Sequence, residues 1–183
     1  MTGKGAVSLL IAWVLCVSAA RATVLVPADL PELSRDAGLI VRGEIESVES
    51  RWTEGRRAIE TVVTLRVDAT LKGSVNPTVQ WIVPGGTIGR FRRLVIGAPE
   101  FAVGEHVIVF LGGRAPGFPY LIGFGQGVFR VLATGTATEW IVVPPPVGAT
   151  VAAAPVVRGD VGRRPVPLAL FEQQIRSMVA GQR

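Results

Sequence analysis

Cysteine and histidine are almost missing from this chain, which holds one of each, Cys16 and His106. A disulfide scaffold is excluded on that count, as are zinc sites built from thiolates or several imidazoles. Lysine is scarce as well, at positions 4 and 72 only, so nearly all the positive charge is arginine. Charged residues are 18% of the total and hydrophobic ones 49%, which excludes a solvated disordered chain, and no Gly-x-y period is present to suggest collagen. What is left at 183 residues is one ordinary globular domain. A chain of this size can hide roughly 68 to 70% of its unfolded surface, enough for a core without metals or disulfides.

The N-terminus has a different character. Lys4 precedes an apolar run from Ala6 to Ala20, and Ala20-Arg21-Ala22 puts small residues at both cleavage-determining positions. Residues 1–22 are therefore expected to be a secretory signal peptide. About 15 apolar residues fall short of the roughly 20 that cross a bilayer, so no membrane span is expected after cleavage. Cys16 lies inside the run behind Trp13-Val14-Leu15, without the small neighbour of a lipidation site. The expected mature chain, Thr23 to Arg183, carries 17 basic and 14 acidic residues, a net charge of +3. A surplus of three spread along the chain is no nucleic-acid footprint, and the destination is secreted or periplasmic.

Periodicity then predicts the elements. Asp29 can cap a short helix over Leu30 to Ala37, with Pro31 in its first turn and Gly38 as its stop. Leu39, Val41, Gly43 and Ile45 alternate with Ile40, Arg42, Glu44 and Glu46, as in a strand that becomes polar on one face, and the loop Trp52 to Arg57 then reverses the chain. From Ile59 to Leu71 the odd positions, including Val63 and Leu65, are apolar except Thr61 and the even ones largely polar, which predicts a long half-buried strand. Further strands are expected at Val79 to Val83, His106 to Leu111, Tyr120 to Val131 and Glu139 to Val143, punctuated by glycines. Short strands with Gly-rich turns and little helix point to a mainly β domain, a barrel or sandwich, over residues 23–143. Residues 144–167 are rich in Pro, Ala and Val and read as an irregular connection. Residues 168–180 form an amphipathic C-terminal helix, with Leu168, Phe171, Ile175, Met178 and Val179 on the face that would dock on the barrel.

Ala37-Gly-Leu-Ile-Val-Arg-Gly-Glu-Ile45, Val63-Thr-Leu-Arg-Val-Asp-Ala-Thr-Leu-Lys-Gly73, Val83-Pro-Gly-Gly86 and Phe101-Ala-Val-Gly-Glu105 resemble a group of uncharacterised exported bacterial proteins. More distantly, their order is similar to the netrin-like domain, the OB-type β-barrel of the tissue inhibitors of metalloproteinases. The resemblance covers about residues 23 to 131 and implies an OB-like barrel. It also implies a comparison with inhibitors whose N-terminal cysteine amine reaches a protease's zinc. This chain has Thr23 there, followed by Val24, and these residues could lie near the Gly85-Gly86 turn. No disulfide would hold them in place.

Catalytic chemistry finds little support in the residues. His106 opens an apolar strand, and neither a cysteine in the mature chain nor a Gly-x-Ser-x-Gly elbow stands ready to be activated by it. A hydrolase built on His106 is thus set aside in favour of a strand-edge histidine. No cofactor and no structural metal are expected, since the carboxylates have neither zinc nor calcium-loop spacing. Gly123-Phe-Gly-Gln-Gly127 lacks the strand-to-helix context of a dinucleotide loop and is expected to mark barrel bends. Arg158-Gly159-Asp160 is a short tripeptide in low-complexity sequence, and Asn76-Pro77-Thr78 has proline where a glycosylation acceptor forbids it.

The densest basic stretch is Gly89-Arg90-Phe91-Arg92-Arg93, with an aromatic residue set among the arginines. Such a loop can follow anionic groups electrostatically while its ring stacks. The expected protein is a noncatalytic binding module with Thr23, Val24, Gly85, Gly86, Arg90, Arg92 and Arg93 as candidate interaction residues. Its partner would be a protein, including a secreted protease under the inhibitor reading, or an anionic envelope polymer.

Overall fold

The computed structural model describes residues 28–113, 117–135, 139–145 and 164–182. The expected signal peptide, Thr23, Val24 and the Arg158-Gly159-Asp160 tripeptide lie outside these residues.

Helix α1, Leu30–Asp36, begins where the sequence places it, with the Asp29 carboxylate accepting the Glu32 N–H at 2.7 Å and proline in the first turn. Its chain then goes straight into strand β1, Leu39–Trp52. β1 pairs antiparallel along its whole length with β2, Ile59–Lys72, and β2 pairs with β3, Thr78–Pro84. On its other side the first half of β1 pairs with β6, His106–Gly112. Next come β7, Tyr120–Leu121, and β8, Val128–Ala133, which share the far edge of β6, and then β9, Trp140–Val143, and β10, Val166–Pro167. Helix α2, Leu168–Ala180, ends the described chain. Two three-residue strands, β4 at Gly86–Ile88 and β5 at Phe91–Arg93, form a separate hairpin.

The architecture is mainly β, one antiparallel sheet with two helices. The sheet is not closed into a barrel, contrary to the sequence expectation. β3 comes alongside β7 with Cα atoms inside 8 Å, yet no ladder joins them, and β3 stays an edge. The curl comes from irregular register. β2 has one residue more than β1 at Asp68 and again at Leu71, while β1 has one more at Glu46. Where the strands press together opposite Val67, a Cβ on Gly43 would sit 2.0 Å from the Arg66 carbonyl oxygen, so only glycine fits.

Two cores lie back to back. Inside the curl, Val41, Ile45, Val63, Leu65, Trp81, Val107 and Val109 pack together, with Phe101 edge-on to Trp81 at 5.4 Å. On the outer face, Leu33 of α1 and Phe171 and Ile175 of α2 cover Ile40, Ile108, Phe110 and Phe129. Phe129 stands 5.4 Å from Phe110 and 5.0 Å from Phe171. β6 is buried on both sides, which is why its sequence is an unbroken apolar run from Val107 to Leu111 with no alternation.

Three local expectations need correction. The strand predicted over Tyr120 to Val131 is interrupted by a 3-10 turn, Phe124–Gly127, so the Gly123 to Gly127 run is not a bend within one strand. That turn buries Gln126, whose side-chain oxygen accepts the Ala28 N–H at 2.7 Å. The extra register residue at Asp68 shifts the alternation of β2 by one, so Leu71 faces the helix-side core, away from Val63 and Leu65, with which the alternation had grouped it. The segment 144–167 also ends in order, because Val166 and Pro167 pair with Val142 and Ile141; its residues 146–163 lie outside the described set.

Candidate functional site

Beyond Ile45 the β1–β2 ribbon outruns both helices, and its tip is where the candidate residues gather. The β4–β5 hairpin folds back onto this tip through a relay of hydroxyls. Thr61 gives its proton to the Gly85 carbonyl at 2.7 Å, and the Ser50 and Thr61 hydroxyl oxygens are 3.0 Å apart, so Ser50 donates to Thr61. The Thr87 N–H then donates to Ser50 at 3.2 Å. Every proton in the chain is committed, and with His106 placed elsewhere Ser50 has no imidazole to activate it. Gly86 sits against both hydroxyls at φ 137°, and a Cβ there would come within 2.3 Å of Ser50 Oγ and 2.4 Å of Thr61 Oγ1. Gly85 and Gly86 are thus the seat of the hairpin.

The hairpin carries Arg90, Arg92 and Arg93 on exposed positions. Phe91 stacks edge-on against Trp52, the last residue of β1, with ring centroids 5.6 Å apart. The Arg90 guanidinium lies 5.2 Å from the Phe91 centroid and that of Arg56 lies 5.5 Å from Trp52. The result is a row of guanidinium, ring, ring, guanidinium assembled from two distant stretches of sequence. Ring faces attract the cations while leaving their N–H edges available. Arg51 is committed to Glu60 at 2.8 Å, and Arg92 reaches Glu100 at 3.4 Å. Among the described residues, Arg56, Arg57, Arg90 and Arg93 have no carboxylate within ion-pair distance.

Beneath the hairpin lies a half-open cavity of about 280 Å³ bordered by Ser50, Gly85, Gly86, Arg92, Val95 and Phe101. A larger hollow of about 390 Å³ lies at the opposite end, beside Lys72. Its chemistry is already spent. Lys72 Nζ donates to the Ser34 and Arg35 carbonyls at 2.6 and 3.1 Å and to the Gln182 side chain at 3.2 Å, capping α1. Burial lowers the Lys72 pKa below the ordinary lysine value, against an opposing pull from Asp36.

His106 lies on the helix-covered face, with Trp140 edge-on at 5.0 Å and Asp68 Oδ2 3.9 Å from Nδ1. Around it the charges answer one another. Arg42 binds Glu172 of α2 at 2.8 Å and faces Asp68 at 3.7 Å, Arg66 pairs with Glu44, and Arg176 pairs with Glu172. Among the described residues, no group of three or more histidine, cysteine or acidic side chains is placed to hold a metal ion.

Of the candidate residues, the structure brings Gly85, Gly86, Arg90, Arg92 and Arg93 together on one hairpin, while Thr23 and Val24 fall outside the described residues. Sequence reasoning missed Trp52, Arg56, Leu94 and Ile96. The loop Trp52 to Arg57 was visible as a turn, but only the folded ribbon sets it beside Phe91. No family model, no characterised protein and no solved structure matches the chain.

Proposed function

We propose that this protein is an exported, noncatalytic binding module that takes a negatively charged ligand at the tip of its β1–β2 ribbon. The observation that carries the reading is the row Arg56, Trp52, Phe91, Arg90, with Arg57 and Arg93 nearby and, among the described residues, no carboxylate within ion-pair distance of these four arginines. Stabilising an isolated fold does not require such a surplus, and under the helices Arg42, Arg66 and Arg176 are each matched to an acid. Export is supported by the leader-like pattern of residues 1–22. The strand order supports an OB-like reading of the domain. β1 is flanked by β2 and β6, β3 follows β2, β7 and β8 both pair with β6, and β7 reaches the open seam beside β3. The inhibitor reading depends on Thr23, outside the described residues, so the hairpin is the better supported surface.

Retention on a dextran sulfate column tests the proposal. The double variant R90Q/R93Q should elute at clearly lower salt than wild type. The charge-matched control R35Q/R176Q, on the helices, should elute close to wild type. Equal elution of the two variants would reduce the effect to net charge and remove the site.

A further inference from the structure

The arginine tip continues into a feature that attraction for anions does not explain. Immediately after Arg93 the chain presents Leu94 at 71% exposure and Ile96 at 103%, the two most exposed of the large apolar side chains among the described residues. Val95 between them is half-buried and lies against Gly85. Beyond β5 the chain turns at Ile96–Gly97, closed by the Ala98 N–H donating to the Val95 carbonyl at 3.1 Å, so Leu94 and Ile96 flank the inward Val95 and both stand in solvent. Consecutive Cα atoms are about 3.8 Å apart, so Ile96 is held within roughly 11 Å of Arg93. The tip thus combines two protruding aliphatic side chains, an aromatic pair and unpaired arginines.

We infer that this tip docks on the surface of an anionic lipid bilayer, with Leu94 and Ile96 entering the acyl boundary, Trp52 and Phe91 at headgroup depth, and Arg90 and Arg93 on lipid phosphates. The inference rests on the proposed anion site and names its ligand source. A soluble acidic polymer would satisfy the arginines but gain nothing from aliphatic side chains held in water. A folded protein partner would call for a matching pocket, whereas a bilayer accepts protruding apolar groups of any shape. Burial of methylene groups and attraction to anionic lipid are the two terms that add in interfacial binding, and aromatic rings favour the boundary between them. Among the described residues no helix is long and apolar enough to cross a membrane, so the contact is peripheral.

The test is co-sedimentation of the protein, as its producing cell processes it and with its N-terminus read by mass spectrometry, with large vesicles. One set contains equal parts of phosphatidylglycerol and phosphatidylcholine, the other phosphatidylcholine alone. The protein should bind the anionic set and release as salt rises from 0.1 to 1 M, when the screening length falls from about 10 to 3 Å. L94S/I96S should weaken vesicle binding by about tenfold or more, since each buried methylene contributes to partitioning, while leaving dextran sulfate retention and the melting temperature unchanged. R90Q/R93Q should weaken both. If wild type ignores anionic vesicles, or if L94S/I96S binds them as well as wild type, the bilayer assignment falls. Continued retention on dextran sulfate in either case would leave the anion-binding function standing, and loss of both would remove the two together.

Discussion

The two ends of the sheet spend the same residue type in opposite ways. Under the helices, Arg42, Arg66 and Arg176 are matched to Asp68, Glu44 and Glu172, and Lys72 is consumed in capping α1. At the ribbon tip, Arg56, Arg57, Arg90 and Arg93 have no carboxylate among the described residues within ion-pair distance, and Leu94 and Ile96 stand in water. The first end is explained by folding alone. The second leaves charges without acidic partners and aliphatic side chains in water, and that contrast is the reason for placing function there.

The contrast breaks most visibly if the core lies elsewhere. Val63→Asp should cost about 4 kcal/mol or more, since it sets a carboxylate in the inner core, while Thr64→Asp on the other face should cost under about 1 kcal/mol. Equal melting temperatures for the pair would overturn the register of β2. Next comes Gly86→Ala. By pushing a methyl into the Ser50–Thr61 relay at a positive φ, it should cost about 1 to 3 kcal/mol, read as a lower urea midpoint. Glu172→Gln, which leaves Arg42 with only Asp68, should cost about 1 kcal/mol in the same assay. Smallest of all, R90Q/R93Q should shift stability by no more than about 0.5 kcal/mol. A larger loss would mean that these arginines belong to the fold and would erase the distinction between the two ends.

Much of the sheet was legible because burial on one face leaves a period of two, as in Ile59 to Val67, and because the helices carry a cap at Asp29 and an apolar stripe through Phe171 and Ile175. Closure was not legible. Whether β3 bonds to β7 depends on strand tilt and on the extra residues at Glu46, Asp68 and Leu71, none of which alters local hydrophobicity. β4 and β5 are three residues each, too short for any period to show. The 3-10 turn at Phe124–Gly127 answers a distant need, the Ala28 N–H that Gln126 satisfies. As for the site, Gly89 to Arg93 stood out as local composition, whereas the contribution of Trp52 and Arg56 required two segments more than 30 residues apart to meet.

The placement of α2 also sets a timetable. Phe171 and Ile175 close the outer core, yet they follow every strand in chain order. A chain made from its N-terminus has the described strands in hand while Ile108, Phe110 and Phe129 still lack their cover from α2. Until the last helix arrives, the growing protein carries an adhesive flank, and whatever accompanies it through that interval must shield that flank without capturing it.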